Sequence, residues 1–213
     1  MPKRVDHDRR RDEIALAACR VVASGGFSRA TMANIAATAG YTTGMLAHYF
    51  SSKQEIVLAA LRLNLRRMQE RLRRHREADG GALLAVLSEA LPLDEQRRAE
   101  CAFWAAFWGQ LPGDRRLTQL NAWVHREYRR LFEQCLRDHW PEFQACAPAV
   151  RAQLLRSLIT FINGITTSAV AGSGDWPARE QVRQLELQLQ LLREWARRPR
   201  TGNIMEKAAW ISR

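Results

Sequence analysis

The chain carries apolar stripes at helical spacing, separated by short breaks that contain glycine, proline or serine. Over residues 9–25 apolar side chains recur every three or four positions, which indicates an amphipathic helix with one buried face. Ser28 to Thr31 offer capping hydroxyls for a second helix that ends at Gly40, and a third helix begins at Thr42 or Thr43 and runs to about Tyr49. The first fifty residues therefore predict three helices, the last two very short.

The remainder of the chain also has helical periodicity. A fourth helix starts after Ser51 or Ser52 and runs to about Ala78, before the break at 79–81. Beyond it the pattern predicts helices near 82–91, 95–110, 114–140, 147–171 and 177–198. We therefore expect an all-α protein, with an N-terminal domain of three helices followed by a C-terminal helical bundle. The expected boundaries are 1–52, 53–200 and a tail at 201–213.

The segment "LELQLQLL" at 185–192 alternates like a strand, yet Leu, Gln and Glu favour helix. As a helix it has an apolar face broad enough to need a partner. Paired with the apolar face of 147–171, it would form a four-helix bundle across a dimer seam. The alternative is that both faces are buried within one subunit. The residues expected at the seam are Leu154, Leu158, Ile162, Leu185, Leu189 and Leu192.

The net positive charge is concentrated in the N-terminal third of the chain. The net charge of the whole protein is +11, and residues 1–76 hold fifteen Lys and Arg against six Asp and Glu. A basic field of this kind attracts polyanions, chiefly nucleic acid. A solvated charged face is the simpler alternative.

Several functional classes find little support in the sequence. The four cysteines form no C-x-x-C pair, and the five histidines have no metal-ligand spacing. Neither a nucleophile elbow, a phosphate-binding loop nor a dinucleotide fingerprint is present. No apolar run is long enough to span a membrane, and the polar start does not resemble a signal peptide. We expect a cytoplasmic protein with reduced thiols, no enzymatic activity, and no metal, cofactor or membrane partner.

The stretch "ATMANIAATAGYTTGMLAHYFSSKQE" fits a helix-turn-helix. Ala36 is small enough for a helix crossing, Gly40 can take a positive φ in the turn, and Leu46 can face the second helix. The third helix would then point outward and could enter a major groove. Hydroxyl, imidazole, phenol and ammonium groups on and around it suit phosphates and base edges.

The segment "GGFSRATMANIAATAGYTTGMLAHYFSSKQEIVLAAL", residues 25–61, resembles the DNA-binding domain of the TetR family of bacterial repressors. It matches the family pattern G-F…A-T…I-A…A-G-x-x-x-G-x-x-x-Y-F…K. The resemblance implies a homodimer in which an N-terminal three-helix domain, containing the helix-turn-helix, binds double-stranded operator DNA. It also implies a C-terminal helical bundle for ligand binding and dimerisation. A small-molecule effector bound there would change the spacing of the two DNA-binding domains. Ala47 stands where relatives more often have Tyr. The implied DNA contacts are Thr31, Thr42, Thr43, Met45, His48, Tyr49 and Lys53.

A weaker similarity extends into the C-terminal part. Residues 91–110 and the segment "FINGI" at 161–165 are similar to the BetI-like branch, which contains the choline-responsive repressor of glycine-betaine synthesis. The similarity supports the branch better than it supports choline as the effector.

Aromatic residues cover about half of the helix predicted at 95–110. Such a surface suits a soft cation, because aromatic faces attract quaternary ammonium groups. The plainer alternative is that these residues form ordinary core. Asn163, flanked by apolar residues, needs a partner in the interior. The residues expected to bind a ligand are Trp104, Phe107, Trp108, Trp123 and Asn163.

The leading hypothesis is a ligand-responsive repressor that binds a palindromic operator as a dimer. The long fourth helix is its natural lever, since it begins at the DNA-binding head and ends in the ligand domain. The alternative is a basic protein that binds DNA without sequence specificity.

Overall fold

The computed structural model describes residues 2–77, 82–172 and 174–197, which form helices and turns with no strand. The all-α prediction is confirmed. The tail expected at 201–213 lies outside these residues. The helices are α1 Pro2–Arg29, α2 Met32–Ala39, α3 Thr43–Tyr49, α4 Lys53–Glu77, α5 Leu83–Ser88, α6 Glu95–Trp108, α7 Arg115–His139, α8 Pro141–Ala145, α9 Pro148–Val170 and α10 Ala178–Arg197.

Helix α1 starts earlier and ends later than the periodicity predicts. Its polar first turns are supported by ion pairs four residues apart, such as Arg10 Nε to Asp6 Oδ1 at 3.1 Å. The helix is kinked at Gly26, whose φ of 74° is left-handed, and continues for one more turn to Arg29. The expected glycine break is therefore a kink rather than an end.

The turn between α2 and α3 has the expected geometry. Gly40 caps α2 with a φ of 75°, and the next amide, of Tyr41, donates to the Ala36 carbonyl at 2.8 Å. Ala36 and Leu46 are fully buried in the core that both helices share with α1. The roles predicted for Ala36, Gly40 and Leu46 are confirmed, and α3 is left with an exposed face.

Helices α1–α3 form an N-terminal domain, which we call the head, and α4 extends from it. Ser52 Oγ accepts from the Glu55 amide at 3.3 Å, and the Glu55 carboxylate accepts from the Ser51 amide at 2.8 Å. The first half of α4 is buried with α1–α3 and with Phe103 and Phe107 of α6. Its second half packs with α5 and α7–α10 in a second apolar cluster. One continuous helix therefore contributes to both cores.

One helix of the C-terminal part was not predicted. A one-turn helix, α8, begins at Pro141, where the sequence indicated only a break; proline is well suited to the first position of a helix. The segment 185–192 is helical, as predicted. Within the described residues, no helix combines the length and apolarity that a membrane crossing requires.

The residues expected at the dimer seam need correction. All six are buried in the core of the single subunit, so their side chains are not exposed for a partner. The leucines that α10 exposes are Leu187 and Leu191, at 48% and 52% of their full accessible surface. The six residues that the sequence placed at the seam, and that the structure buries within one subunit, are Leu154, Leu158, Ile162, Leu185, Leu189 and Leu192.

Candidate DNA-binding surface and effector cavity

Most residues expected to contact DNA lie on the exposed side of α3. Thr42, Thr43 and His48 are exposed, while Met45 and Tyr49 are half-buried. The Tyr49 ring lies against His7 of α1 at 4.8 Å between centroids and edge-on to His48 at 5.4 Å. The helix therefore presents short polar groups at its start and aromatic rings at its end.

Two of the expected threonines are helix caps. Thr31 Oγ1 accepts from the Asn34 amide at 3.2 Å, and Thr42 Oγ1 accepts from the Met45 amide at 3.1 Å. A hydroxyl that accepts in this way still has its own hydrogen to donate. Capping and a phosphate contact are therefore compatible at both positions.

The end of α3 is attached to α1 through an arginine that the sequence pattern did not single out. The Arg11 guanidinium donates to the Tyr49 carbonyl and lies 4.0 Å from the centroid of the Phe50 ring. The two partners are 38 residues apart, so local periodicity carries no signal for the contact. Arg11 therefore ties the C-terminal end of α3 to α1.

Lys53 is engaged within the head. Its ammonium donates to the Phe27 carbonyl at 2.9 Å and lies 5.8 Å from the Phe27 ring centroid. This contact uses one of its three donors. A phosphate contact from Lys53 would therefore use the remaining two.

A partly enclosed cavity of about 60 Å³ lies where α4, α6, α7 and α9 meet. Trp104 and Trp108 of α6 and Tyr128 of α7 form its aromatic part. Other lining residues from α4 and α9 are Asn64, Leu65, Met68, Arg71, Asn163 and Thr166.

Three of the five residues expected to bind a ligand line this cavity, namely Trp104, Trp108 and Asn163. Phe107 does not, because it is fully buried in the core of the head, 6.5 Å from the Phe27 ring. Trp123 is also outside the lining, and its ring faces the Arg62 guanidinium at 5.8 Å. The expectation for Phe107 and Trp123 is corrected: they pack beside the cavity rather than into it.

A buried ionic network that the sequence did not indicate forms the polar wall. Glu100, only 5% exposed, lies 3.0 Å from Arg71 Nη2 and 3.4 Å from Arg67 Nη1. Glu89 lies 3.3 Å from Arg71 Nε and 3.2 Å from Arg97 Nη1. Each carboxylate therefore faces two arginines, as buried charges require.

Burial favours the neutral form of a tyrosine, a histidine and a cysteine in the lining. Desolvation raises the pKa of the Tyr128 phenol well above its ordinary value. Desolvation, with the charge of Arg129, lowers the pKa of His125. Burial, reinforced by Glu100, raises the pKa of the Cys101 thiol to about 12. Tyr128, His125 and Cys101 therefore offer a ligand neutral polar groups.

Comparison with known proteins identifies both halves of the chain. Residues 14–60 match the bacterial regulatory proteins of the tetR family, and residues 80–194 match the C-terminal domain of BetI-type transcriptional repressors.

Individual relatives agree with this division. The chain is 31% identical over 182 residues to the HTH-type transcriptional regulator BetI of Yersinia pestis (strain Pestoides F), covering 81% of this chain and 87% of that protein. It is 36% identical over 110 residues to the regulator PksA of Bacillus subtilis (strain 168), covering 50% of this chain and 54% of PksA.

The fold has solved counterparts. A transcriptional regulator from Saccharomonospora viridis, determined in complex with choline, superposes with a TM-score of 0.69 at 20% identity. The match covers 84% of this chain and 95% of that one. With a helix-turn-helix head and a matched C-terminal domain, the chain belongs to the TetR family of transcriptional regulators and has the C-terminal domain of the BetI-type repressors.

Proposed function

We propose that this TetR-family repressor binds a palindromic operator as a homodimer and that a small molecule in the cavity changes its affinity for DNA. The observation that carries the proposal is the course of α4. This helix starts at Lys53, which is bonded to the end of α1, and lines the cavity further along with Asn64, Met68 and Arg71. A ligand that displaces α4 therefore acts on a helix that is part of the DNA-binding head.

The size of the cavity favours such a displacement. Small-molecule sites commonly enclose about 300–1,000 Å³, whereas this cavity encloses about 60 Å³. An effector would have to separate α4 from α6 and α7 to fit. Movement of α4 in each subunit would alter the distance between the two α3 helices, and DNA and ligand would then favour different spacings.

On the DNA side, α3 would lie in the major groove with its first residues at the base edges. Thr43 and Met45 would face bases. The hydroxyls of Thr31 and Thr42, together with His48, Tyr49 and Lys53, would bind phosphates. The basic first 76 residues would add a sequence-independent attraction that weakens with salt. A DNA-binding regulator of this kind would act in the cytoplasm, where the bacterial chromosome lies.

The dimer would form through the outer faces of α9 and α10. Leu187 and Leu191 are exposed on α10, and a shallow depression beside them is lined by Phe161, Gly164 and Trp176. Gly164 is exposed, and a side chain added there would meet open space. A second copy packed on this face would bury these residues in a four-helix interface.

A choline-like cation is one candidate effector. Support comes from the BetI-type C-terminal domain and from the similar fold of a regulator determined with choline. The rings of Trp104, Trp108 and Tyr128 offer surfaces on which a quaternary ammonium group binds favourably.

The test is a footprinting and gel-shift titration on the DNA that flanks the gene, with and without choline and with a scrambled duplex of equal length. A discrete, two-fold symmetric protected site whose occupancy changes with a small molecule supports the proposal. Diffuse protection of both duplexes that disappears with salt would instead favour a non-specific basic DNA-binding protein.

A further inference from the structure

The side chain of Asn64 lies between the DNA-binding head and the cavity. It is 3% exposed, and its Oδ1 accepts a hydrogen bond from Cys19 Sγ of α1 at 3.6 Å. Its Nδ2 is buried, and no described residue bonds to it. Because buried amide donors are almost always satisfied in native proteins, this nitrogen marks a place for an acceptor.

The chemistry of Cys19 supports this orientation of the amide. Burial raises the pKa of the Cys19 thiol to about 12, so the sulfur keeps its proton near neutral pH. A thiol is a donor that needs an acceptor, and the oxygen is the only acceptor of the amide. With the oxygen facing Cys19, the nitrogen is left for the cavity.

Arg71 adds a second donor to the same cavity wall. It follows Asn64 by seven residues, so both lie on one face of α4. Its Nη2 reaches Glu100, whereas its Nη1 is buried with no hydrogen-bond partner among the described residues. Glu100 and Glu89 already face two arginines each, so the wall holds more donors than acceptors.

We propose that the cavity takes a small ligand whose apolar part packs on Trp104 and Trp108 and whose polar end is a hydrogen-bond acceptor, such as a carboxylate, a carbonyl or a hydroxyl, bound by Asn64 Nδ2 and Arg71 Nη1. The inference rests on the proposed role of the cavity as the effector site. It adds a requirement that aromatic rings alone do not impose. A quaternary ammonium ion that carries no acceptor leaves both donors unsatisfied, whereas one that also bears a hydroxyl or carboxylate can satisfy them.

The position of Asn64 also gives the ligand a route to the head. The same amide that would bind the ligand holds the thiol of Cys19, a residue of the α1 core. A ligand that pulls on Nδ2 shifts a side chain already attached to α1. Asn64 would therefore bind the effector and transmit the resulting movement to α1.

The proposal is tested on the full-length protein without DNA, with two matched pairs of compounds. Phenylacetate is compared with benzyltrimethylammonium, and choline with ethyltrimethylammonium, which lacks only the hydroxyl. Binding is measured by calorimetry and by tryptophan fluorescence, since Trp104 and Trp108 line the site. We expect phenylacetate to bind more tightly than its partner, and choline more tightly than ethyltrimethylammonium.

The decisive variant is Asn64→Leu, which keeps the branched shape and the number of heavy atoms of the side chain and removes its amide, both the Nδ2 donor and the oxygen that accepts from Cys19. We expect it to weaken the acceptor-bearing compounds about tenfold, equivalent to about 1.4 kcal/mol, and to leave the other two unchanged. Asn121→Leu is the control, since Asn121 also has a buried unpartnered amide atom but lies outside the cavity lining. If Asn64→Leu does not fold, the wild-type comparison within each pair still decides.

Equal binding within both pairs, a preference that survives Asn64→Leu, or no binding by any of the compounds at millimolar concentration would overturn the inference. Operator binding is measured separately in the gel-shift titration. A protein that recognises its operator and responds only to ethyltrimethylammonium would keep the proposed function and reject this inference. Binding of phenylacetate without any effect on DNA would keep the site and reject the function.

Discussion

The ring of Phe27, at the end of α1, lies 5.6 Å from the ring of Phe103 on α6. The carbonyl of the same Phe27 accepts a hydrogen bond from the ammonium of Lys53, the first residue of α4. One residue of the head thus contacts both a helix that carries the aromatic side of the cavity and the helix that carries its polar side. We refer to these two contacts of Phe27 as the junction between the head and the helices that line the cavity.

We expect Phe27→Leu to weaken the communication between the two sites. The substitution removes the ring contact with Phe103 while the backbone bond to Lys53 remains. Operator affinity and effector affinity should each change little, but the change in operator affinity caused by the effector should fall at least severalfold. Fluorescence anisotropy of labelled operator, with and without effector, measures this ratio.

Phe143→Leu is the matched control. Phe143 is fully buried against Trp140 in the second cluster, so the loss of volume is the same at a place remote from the junction. Both variants should lose stability by about 1–2 kcal/mol. If Phe143→Leu reduced the communication as much as Phe27→Leu, general loosening of the fold would explain the effect and the junction would not.

Thr42 allows capping to be separated from DNA binding. Thr42→Asp keeps an oxygen that accepts from the Met45 amide, and a carboxylate suits the positive end of α3. Stability should therefore be within about 0.5 kcal/mol of wild type. Operator affinity should fall strongly, because a negative charge would face phosphate.

The companion variant Thr42→Val has the same shape and no hydroxyl, so it should cost about 1 kcal/mol of unfolding free energy and also weaken DNA binding. Urea denaturation and operator titration are measured on both proteins. Unchanged operator affinity for Thr42→Asp would mean that this residue caps the helix and does not approach the DNA.

The exposed leucines of α10 provide a test of the dimer face. Leu187→Arg places a charge in the proposed seam and should yield a folded monomer, since about half of this side chain is exposed in the single subunit. Leu189→Arg, two residues away, should prevent folding because Leu189 is buried. Sedimentation velocity with circular dichroism distinguishes the two outcomes, and a Leu187→Arg protein that remained dimeric would place the seam elsewhere.

The buried ionic network should matter more for stability than the surface pairs. Glu100→Gln leaves Arg67 without its carboxylate and Arg71 with Glu89 alone, in a site where Glu100 is 5% exposed, and should cost about 3–5 kcal/mol.

Glu70 is the control, since it pairs with Arg73 and Arg74 on the exposed side of α4, the helix that also carries Arg67 and Arg71. Glu70→Gln should cost less than about 1 kcal/mol. Denaturation of the two variants in urea gives the comparison directly, and equal losses would contradict the assignment of Glu100 as a structural charge.

Local features account for what the sequence could predict. The head depends on short-range signals, such as a capping threonine at 31, a glycine at 40 and an apolar residue six positions later, and these determine the helix-turn-helix without knowledge of the rest of the fold. The helical interpretation of 185–192 succeeded for a similar reason, because its residue types favour helix regardless of their alternation.

Predictions failed where the answer depends on distant parts of the chain. On α10 two leucine stripes compete, and only packing against the other helices decides that Leu189 is buried and Leu187 exposed. On α6 the ring of Phe107 turns towards the head and that of Trp104 towards the cavity, although both belong to one aromatic surface in sequence. Asn64 had no signal, since a single amide among leucines and arginines becomes conspicuous only when its neighbours from α1 and α6 are in place.

The most direct test of the central claim is the reciprocal linkage between operator and effector. The affinity of the wild-type protein for its palindromic operator is measured with and without a saturating compound from the binding assay, and the affinity for that compound is measured with and without operator. The account predicts that both affinities change by the same factor, about 5–150-fold, as for a coupling free energy of about 1–3 kcal/mol. A compound that fills the cavity and leaves operator affinity unchanged would contradict it.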